Sequence, residues 1–186
     1  MKKERELRMY FLVMYNISPI QKSIQAGHCV EEYSDKYSKT KLYKEYRKHK
    51  TWVVLDGGTS NNGIILCKDG QWYDDETKLG TMELHEKYLI NNNIPYASFH
   101  EPDLNNALSA LCFICDEKVF DWETYPPFIK WVTNSCYYHL SDDEKEMNPP
   151  YDESENMKTL YLDWIHLVGG EQNAKLKELI YGKKLA

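Results

Sequence analysis

The chain has 186 residues, 42% of them hydrophobic and 28% charged, with a net charge of -6. That length suits one domain with an extension and a sizeable core, and the composition excludes a disordered or collagen-like chain. No apolar run approaches the roughly 18 residues of a membrane span, and five scattered cysteines favour free thiols in a reducing, cytoplasmic setting over a disulfide framework.

The opening MKKERELRMYFLVMY has a charged leader and then a short apolar run, Met9–Tyr15. The run lacks a small-residue cleavage site, so YFLVMY (10–15) reads as a first strand and not as a signal peptide. SPIQ then starts a helix: Ser18 as N-cap, Pro19 at the first helical position and Gln21 at capping-box spacing. Ile20, Ile24, Gly27, Val30, Tyr33 and Tyr37 recur at helical spacing and predict the face turned to the sheet. Ala26 and Gly27 predict close approach of that helix to a strand. Gln21, Gln25, His28 and Glu32 form a polar stripe beside the apolar one.

TWVVLD (51–56) predicts a second strand ended by Gly57-Gly58. Two short apolar runs about Lys68-Asp69-Gly70 predict a hairpin insertion near 61–75. TMELHEKYLINNN (81–93) predicts a helix capped by Thr81, YASFHE (96–101) a third strand, and LSALCFICDEKVF (108–120) a fourth with an extension. From Thr124 onward the pattern is helical, interrupted by the acidic loop 141–155 and closed by Gly169-Gly170 and Gly182. The expected fold is α/β: a mostly parallel, four-stranded mixed sheet flanked by helices in two or three layers. It occupies residues 1–120, with a helical C-terminal extension over 121–186 packed on it.

Charge is unevenly spread. Residues 1–50 hold twelve Lys/Arg against six Asp/Glu, and residues 36–50 (KYSKTKLYKEYRKHK) hold seven basic residues against Glu45. Such a segment, interleaved with tyrosines, fits either phosphate contact or a solvated helix end and loop; Lys44, Arg47 and Lys48 are its candidate contacts. Cys112 and Cys115 form a lone CxxC inside a strand, where residues three apart point to opposite faces; buried thiols are favoured over zinc. The six histidines show no ligand spacing, so neither metal nor cofactor is expected. DGGTSNNG (56–63) lacks the Lys-Ser/Thr of a phosphate loop and reads as a turn.

Ligands of open α/β sheets settle beyond the carboxyl ends of parallel strands. The start of the first helix and the loop after YASFHE both open there, bringing His100, Glu101, Asp103, Asn105, Asn106 and Ser109 near Gln25 and His28. Carboxylates beside amides and a helix N-terminus can hold a water or an oxyanion; the same acidic residues also suit a solvated surface turn.

FLVMY followed by QKSIQAGHCVEEY resembles the opening of the type II peptidyl-tRNA hydrolase family, whose first helix carries a lysine, then a glutamine, then a histidine. TWVVLDGG, MELHEKYLINNN, IPYASFHEPDLNN and LSALCFI are similar to the family's later elements in order, so the resemblance covers about residues 9–118. It implies hydrolysis of the ester joining a peptide to the terminal ribose of tRNA. Gln25 and His28 match the family's helix pair, Glu101 its strand-end acid and Ser109 its strand-opening threonine. Asn105 is a loose match to a loop threonine. Gln21 stands at the family's lysine position, with Lys22 one residue later. The implied catalytic set is Lys22, Gln25, Glu101 and Ser109, with Gln21, His28, Asp103, Asn105, Lys44, Arg47 and Lys48 binding. The implied partner is tRNA or peptidyl-tRNA; a homodimer is compatible, and no membrane is expected. The alternative is a non-catalytic module of the same fold that binds tRNA, a nucleotide or a protein.

Overall fold

The computed structural model describes residues 6–66, 72–120 and 155–186. The predicted turn Lys68-Asp69-Gly70, Cys67 and Cys136, the helix from Thr124 and most of the acidic loop lie outside them. The chain forms two compact units, Met1–Glu117 with Leu179–Ala186, and Lys118–Glu178.

In the first unit, β1 (Leu7–Met14) is buried along almost its whole length because both its faces and both its edges are covered. That is why its sequence is a continuous apolar run and not an alternating one. It pairs in parallel with β2 (Thr51–Gly58) and antiparallel with β6 (Ala107–Asp116), whose other edge takes β5 (Tyr96–Glu101) antiparallel. The order is β2-β1-β6-β5, a four-stranded mixed sheet flanked by helices, as the sequence predicts.

The expectation of a mostly parallel sheet needs a correction. β1, β2 and β5 do point one way, but only β1 and β2 form a parallel ladder. The link from β5 to β6 is five residues, too short for a parallel crossover, so β6 returns antiparallel and lodges between β1 and β5. The link itself is a 3-10 turn, Pro102–Leu104, followed by Asn105 and Asn106, both left-handed with φ of 54° and 58°. Asparagine tolerates that conformation.

Helix α1 (Pro19–Tyr37) begins as predicted. The Ser18 hydroxyl accepts from the Gln21 amide at 3.3 Å, and the Gln21 side chain accepts from the Ser18 amide at 3.0 Å. Its buried face matches the predicted one only in the second half, where Tyr33 is buried and Val30 and Tyr37 pack against the same core. Gln25, Ala26, Cys29 and Tyr33 face the sheet, while Ile20 and Ile24 are 75% and 49% exposed and Gly27 has open space where a side chain would stand. Over the first half, the buried face is turned by about 100°, one residue's rotation, from the stripe that hydrophobicity selects. Ala26, not Gly27, gives the close approach.

A separate helix, α2 (Lys41–His49), follows under the Thr40 cap and ends at left-handed Lys50. Tyr43 and Tyr46 turn inward and join Leu7, Met9, Phe11, Tyr33, Cys112 and Ile114 in one core cluster. The Trp52 indole donates to the Tyr46 hydroxyl at 2.8 Å and fixes the corner into β2. The opposite sheet face takes α3 (Thr81–Asn91): a side chain on Gly57 would collide with Met82 and with Leu12, whose parity on β1 is opposite to that of Phe11. The unit is therefore three layers deep. Gly80, not Thr81, caps α3; the Thr81 hydroxyl instead accepts from the Thr59 amide at 2.8 Å. Gly58, at φ 87°, lies where any side chain would strike that hydroxyl.

The hairpin β3 (Asn62–Leu66) and β4 (Trp72–Leu79) forms its own two-stranded sheet, in line with the predicted insertion. After β6, the short α4 (Glu117–Phe120) leads out of the first unit. In the second unit, Trp164, Val168 and Ala174 form a small core across α5 (Glu155–Val168) and α6 (Glu171–Ile180). The buried Lys177 ammonium donates to the Lys118 carbonyl at 3.1 Å. Leu179–Ala186 belong to the first unit, so the predicted extension does not run unbroken to the end. These last residues pair with the free edge of β2: the Asp56 amide donates to the Lys184 carbonyl at 2.9 Å, and the Ala186 amide to the Val54 carbonyl at 3.0 Å. No helix among the described residues is long and apolar enough to cross a membrane.

Candidate active site

Packing of α1 on β5 and β6 sets the site. The two run past each other in a fixed register: Cys29 donates to the Ala97 carbonyl at 3.2 Å, the His28 ring stacks on Phe99 at 4.5 Å, and Gln25 meets Glu101. The first contact is buried; the last lies at the carboxyl end of β5. Since β5 and β1 point the same way, Glu101 opens at the edge where β1 ends and α1 begins.

Gln25 is 4% exposed and Ser109 wholly buried. The Gln25 Nε2 donates to Glu101 Oε2, and the Ser109 hydroxyl donates to Gln25 Oε1 at 2.7 Å. This fixes the amide's orientation, because the flipped amide would set its oxygen against the carboxylate. Ser109 is also 3.1 Å from the Phe99 carbonyl. Its hydroxyl therefore points inward to acceptors and serves to hold Gln25. The other Glu101 oxygen accepts from the Asp103 amide at 3.4 Å, so the start of the 3-10 turn steadies the carboxylate. Glu101 remains partly exposed, with one flank toward solvent.

Lys22 is half-buried and lies one turn before Gln25 and Ala26, on the sheet-facing side of α1. Among the described residues its ammonium has no ion-pair partner. Gln21 is exposed and committed to the helix cap. One residue of rotation separates it from Lys22. The amide closes the cap, and the cation lies on the side of Gln25.

The remaining predicted residues fall outside this centre. His28 is exposed, stacked on Phe99 at the helix flank. Asp103 and Asn105 are exposed turn residues, and Asn105 is there for its left-handed backbone. Lys44, Arg47 and Lys48 are exposed on α2, at the far end of α1 from Glu101. Cys112 and Cys115 are buried on opposite faces of β6, and burial pushes both thiols well up from their ordinary range, so neither is a ready nucleophile.

A contact that sequence patterns missed lies at the other sheet edge. Lys183 Nζ sits 2.8 Å from His85 Nε2, so the ammonium donates to a neutral imidazole. Burial, with that ammonium beside it, holds His85 down at about 4. Burial also lowers Lys183, partly offset by Asp56. Residues 98 apart in the chain gave no local signal of this pairing.

Among the described residues no group of three His, Cys, Asp or Glu gathers closely enough to hold a metal ion. No protein-family model matches the chain, and no curated protein matches it significantly.

Proposed function

We propose that this protein hydrolyses the ester joining a peptide to the terminal ribose of tRNA. The observation that carries this reading is the Ser109–Gln25–Glu101 chain of hydrogen bonds, set at the strand-end edge with Lys22 one helical turn away. A buried amide and hydroxyl here add little apolar contact. Together they fix the direction of one carboxylate, which preorganisation at a reacting centre requires.

In this mechanism Glu101 orients a water and takes its proton as the water oxygen attacks the ester carbonyl carbon. The Lys22 ammonium faces the oxygen on which negative charge develops. Collapse of the tetrahedral intermediate breaks the bond to the ribose oxygen, and the proton held on Glu101 passes to that oxygen. Gln25 and Ser109 are positioning residues, acting through the carboxylate.

The test is release of labelled peptide from peptidyl-tRNA by pure wild-type protein, with Glu101→Gln and Lys22→Ala alongside. Turnover lost in Glu101→Gln and reduced in Lys22→Ala is expected. Absence of turnover by the wild type would sink the enzymatic reading. Capture of Gln21 by the cap, where the resembling family has its cation, favours one second reading: a module of the same fold that binds tRNA without cleaving it. Binding without turnover is its signature.

A further inference from the structure

The two edges of the four-stranded sheet are treated differently. At β2 residues near the C-terminus close the edge, with Asp56 bonded to Lys184 and Val54 to Ala186. At the other edge β5 pairs only with β6 among the described residues, and no other strand lies along its outer side. Alternate backbone N–H and C=O groups of Tyr96–Glu101 therefore point outward, with no backbone partner among the described residues. Edge strands that must stay single are commonly blunted by a lysine, a proline or a bulge. β5 (YASFHE) carries neither residue, and the one irregularity of its pairing puts the extra residue, Ser109, on β6.

The flank of α1 beside this edge is apolar and open. The His28 ring lies nearly parallel on Phe99, which puts His28 on the β5 side of the helix. Ile24 stands one turn before His28 and Ile20 one turn before Ile24, and both are exposed. These are the two isoleucines that hydrophobicity assigns to the core and that the fold leaves beside the free strand.

We infer that the outer edge of β5 receives the peptide part of the substrate as an added parallel strand. Its carboxyl-terminal ester lies at Glu101, and alternate side chains lie against Ile24 and His28. The inference rests on the ester-cleaving reading of Glu101 and adds where the acyl chain lies. Three observations select this occupant. β5 ends at Glu101, so an extended chain running the same way along its edge brings its last carbonyl to the carboxylate. β5 has six residues, about 20 Å of strand, and so accommodates about five or six residues of peptide. Edge pairing reads main chain, which suits a substrate whose side chains differ from molecule to molecule while its backbone does not. A second copy of β5 related by a two-fold axis would instead lie antiparallel and bring no ester to Glu101.

The experiment has two arms. In the first, KM and kcat are measured for peptidyl-tRNAs whose peptide grows from one residue to about eight, and for the six-residue substrate N-methylated at one residue at a time. KM is expected to fall by about tenfold or more up to five or six residues and then to stay level, as main-chain bonds run out. N-methylation should raise KM severalfold at every second residue and spare those between. Ile24→Ser, a change at an exposed helix position, should raise KM for the six-residue substrate. The second arm needs no turnover: a six-residue peptide joined to adenosine through a non-cleavable amide is added at millimolar concentration to isotope-labelled protein. Amide resonances of Tyr96–Glu101, Ile24 and His28 should shift, and β5 amides should gain protection from hydrogen exchange.

A KM indifferent to length and to N-methylation would overturn the inference and leave ester cleavage intact. Shifts along β5 without turnover by the wild type would strike the ester reading and leave the peptide edge standing. Absence of shifts along β5 would overturn the inference. So would a stable dimer in sedimentation whose β5 amides are protected before peptide is added, which gives the edge to a second copy.

Discussion

At its N-terminal end α1 buries polar atoms: Gln25 and Ser109 lie inside and reach the partly exposed Glu101 through hydrogen bonds. At its C-terminal end α1 and α2 do the reverse, burying the rings of Tyr33, Tyr43 and Tyr46 while every lysine and arginine of the segment stays in water. The first arrangement gains little stability, since buried hydrogen bonds mostly replace bonds to water, but it fixes a geometry. The second buries large apolar area, and that is where the stability of this half of the sheet comes from. The two ends divide chemistry and cohesion between them.

That division is open to test. The largest expected effect is on rate: Glu101→Gln should lower peptide release by about 10²–10⁴-fold, the usual contribution of a positioned acid or base. Its unfolding midpoint should barely move, because the new amide still accepts from Gln25. At the other end, Tyr33→Ala should cost about 3–5 kcal/mol in urea unfolding, the cost of emptying a buried aromatic site. It removes a ring that packs on Tyr37 at 4.7 Å and on Tyr43 at 6.0 Å. A large stability loss in Glu101→Gln, or a small one in Tyr33→Ala, would break the contrast.

A smaller effect sits between the two classes. Ser109→Ala leaves the Gln25 carbonyl oxygen buried without its donor, at a cost of about 1–3 kcal/mol. Activity should fall with it, and Ser109→Thr, which keeps the hydroxyl, should restore both. If Ser109→Ala lost stability but kept full activity, Gln25 would be a packing residue and not a positioning one.

A further effect concerns neither end of α1. His85 has a folded-state pKa of about 4 against an ordinary 6.5, so the unfolded chain binds more protons across that interval. Stability is therefore full above about pH 6.5 and declines as pH falls toward 4. His85→Gln should flatten that decline in urea titrations at successive pH values. An unchanged acid slope would show that the pairing of Lys183 with His85 contributes nothing to holding the C-terminal strand on β2.

Much of the fold was legible because its signals are local. Ser18, Pro19 and Gln21 specify a helix start through bonds within four residues. The unbroken apolar run of β1 specifies a strand covered on both faces. Five residues between β5 and β6 force an antiparallel return. The hidden parts depend on partners far along the chain. Hydrophobicity chose Ile20 and Ile24 for the buried face of α1. The face was instead decided by Gln25, whose partners lie 76 and 84 residues away, and by Cys29, which reaches across 68. Tyrosines and lysines alternating through 36–50 looked like one mixed surface; only the docking of α2 on Leu7 and Ile114 separated rings from charges.

The sequence by itself determined the α/β class, the order of the strands with the helices after β1 and before β5, and the end of the sheet where polar residues gather, but not the separate helix α2. Period, caps and link lengths act through neighbouring residues and require no knowledge of the rest of the molecule. Tertiary structure alone decided that Gln21 closes a cap while Lys22 lies on the side of Gln25. The two differ by one step of helical rotation, about 100°. Which way the helix turns is set by the carboxylate and hydroxyl that β5 and β6 bring to meet it.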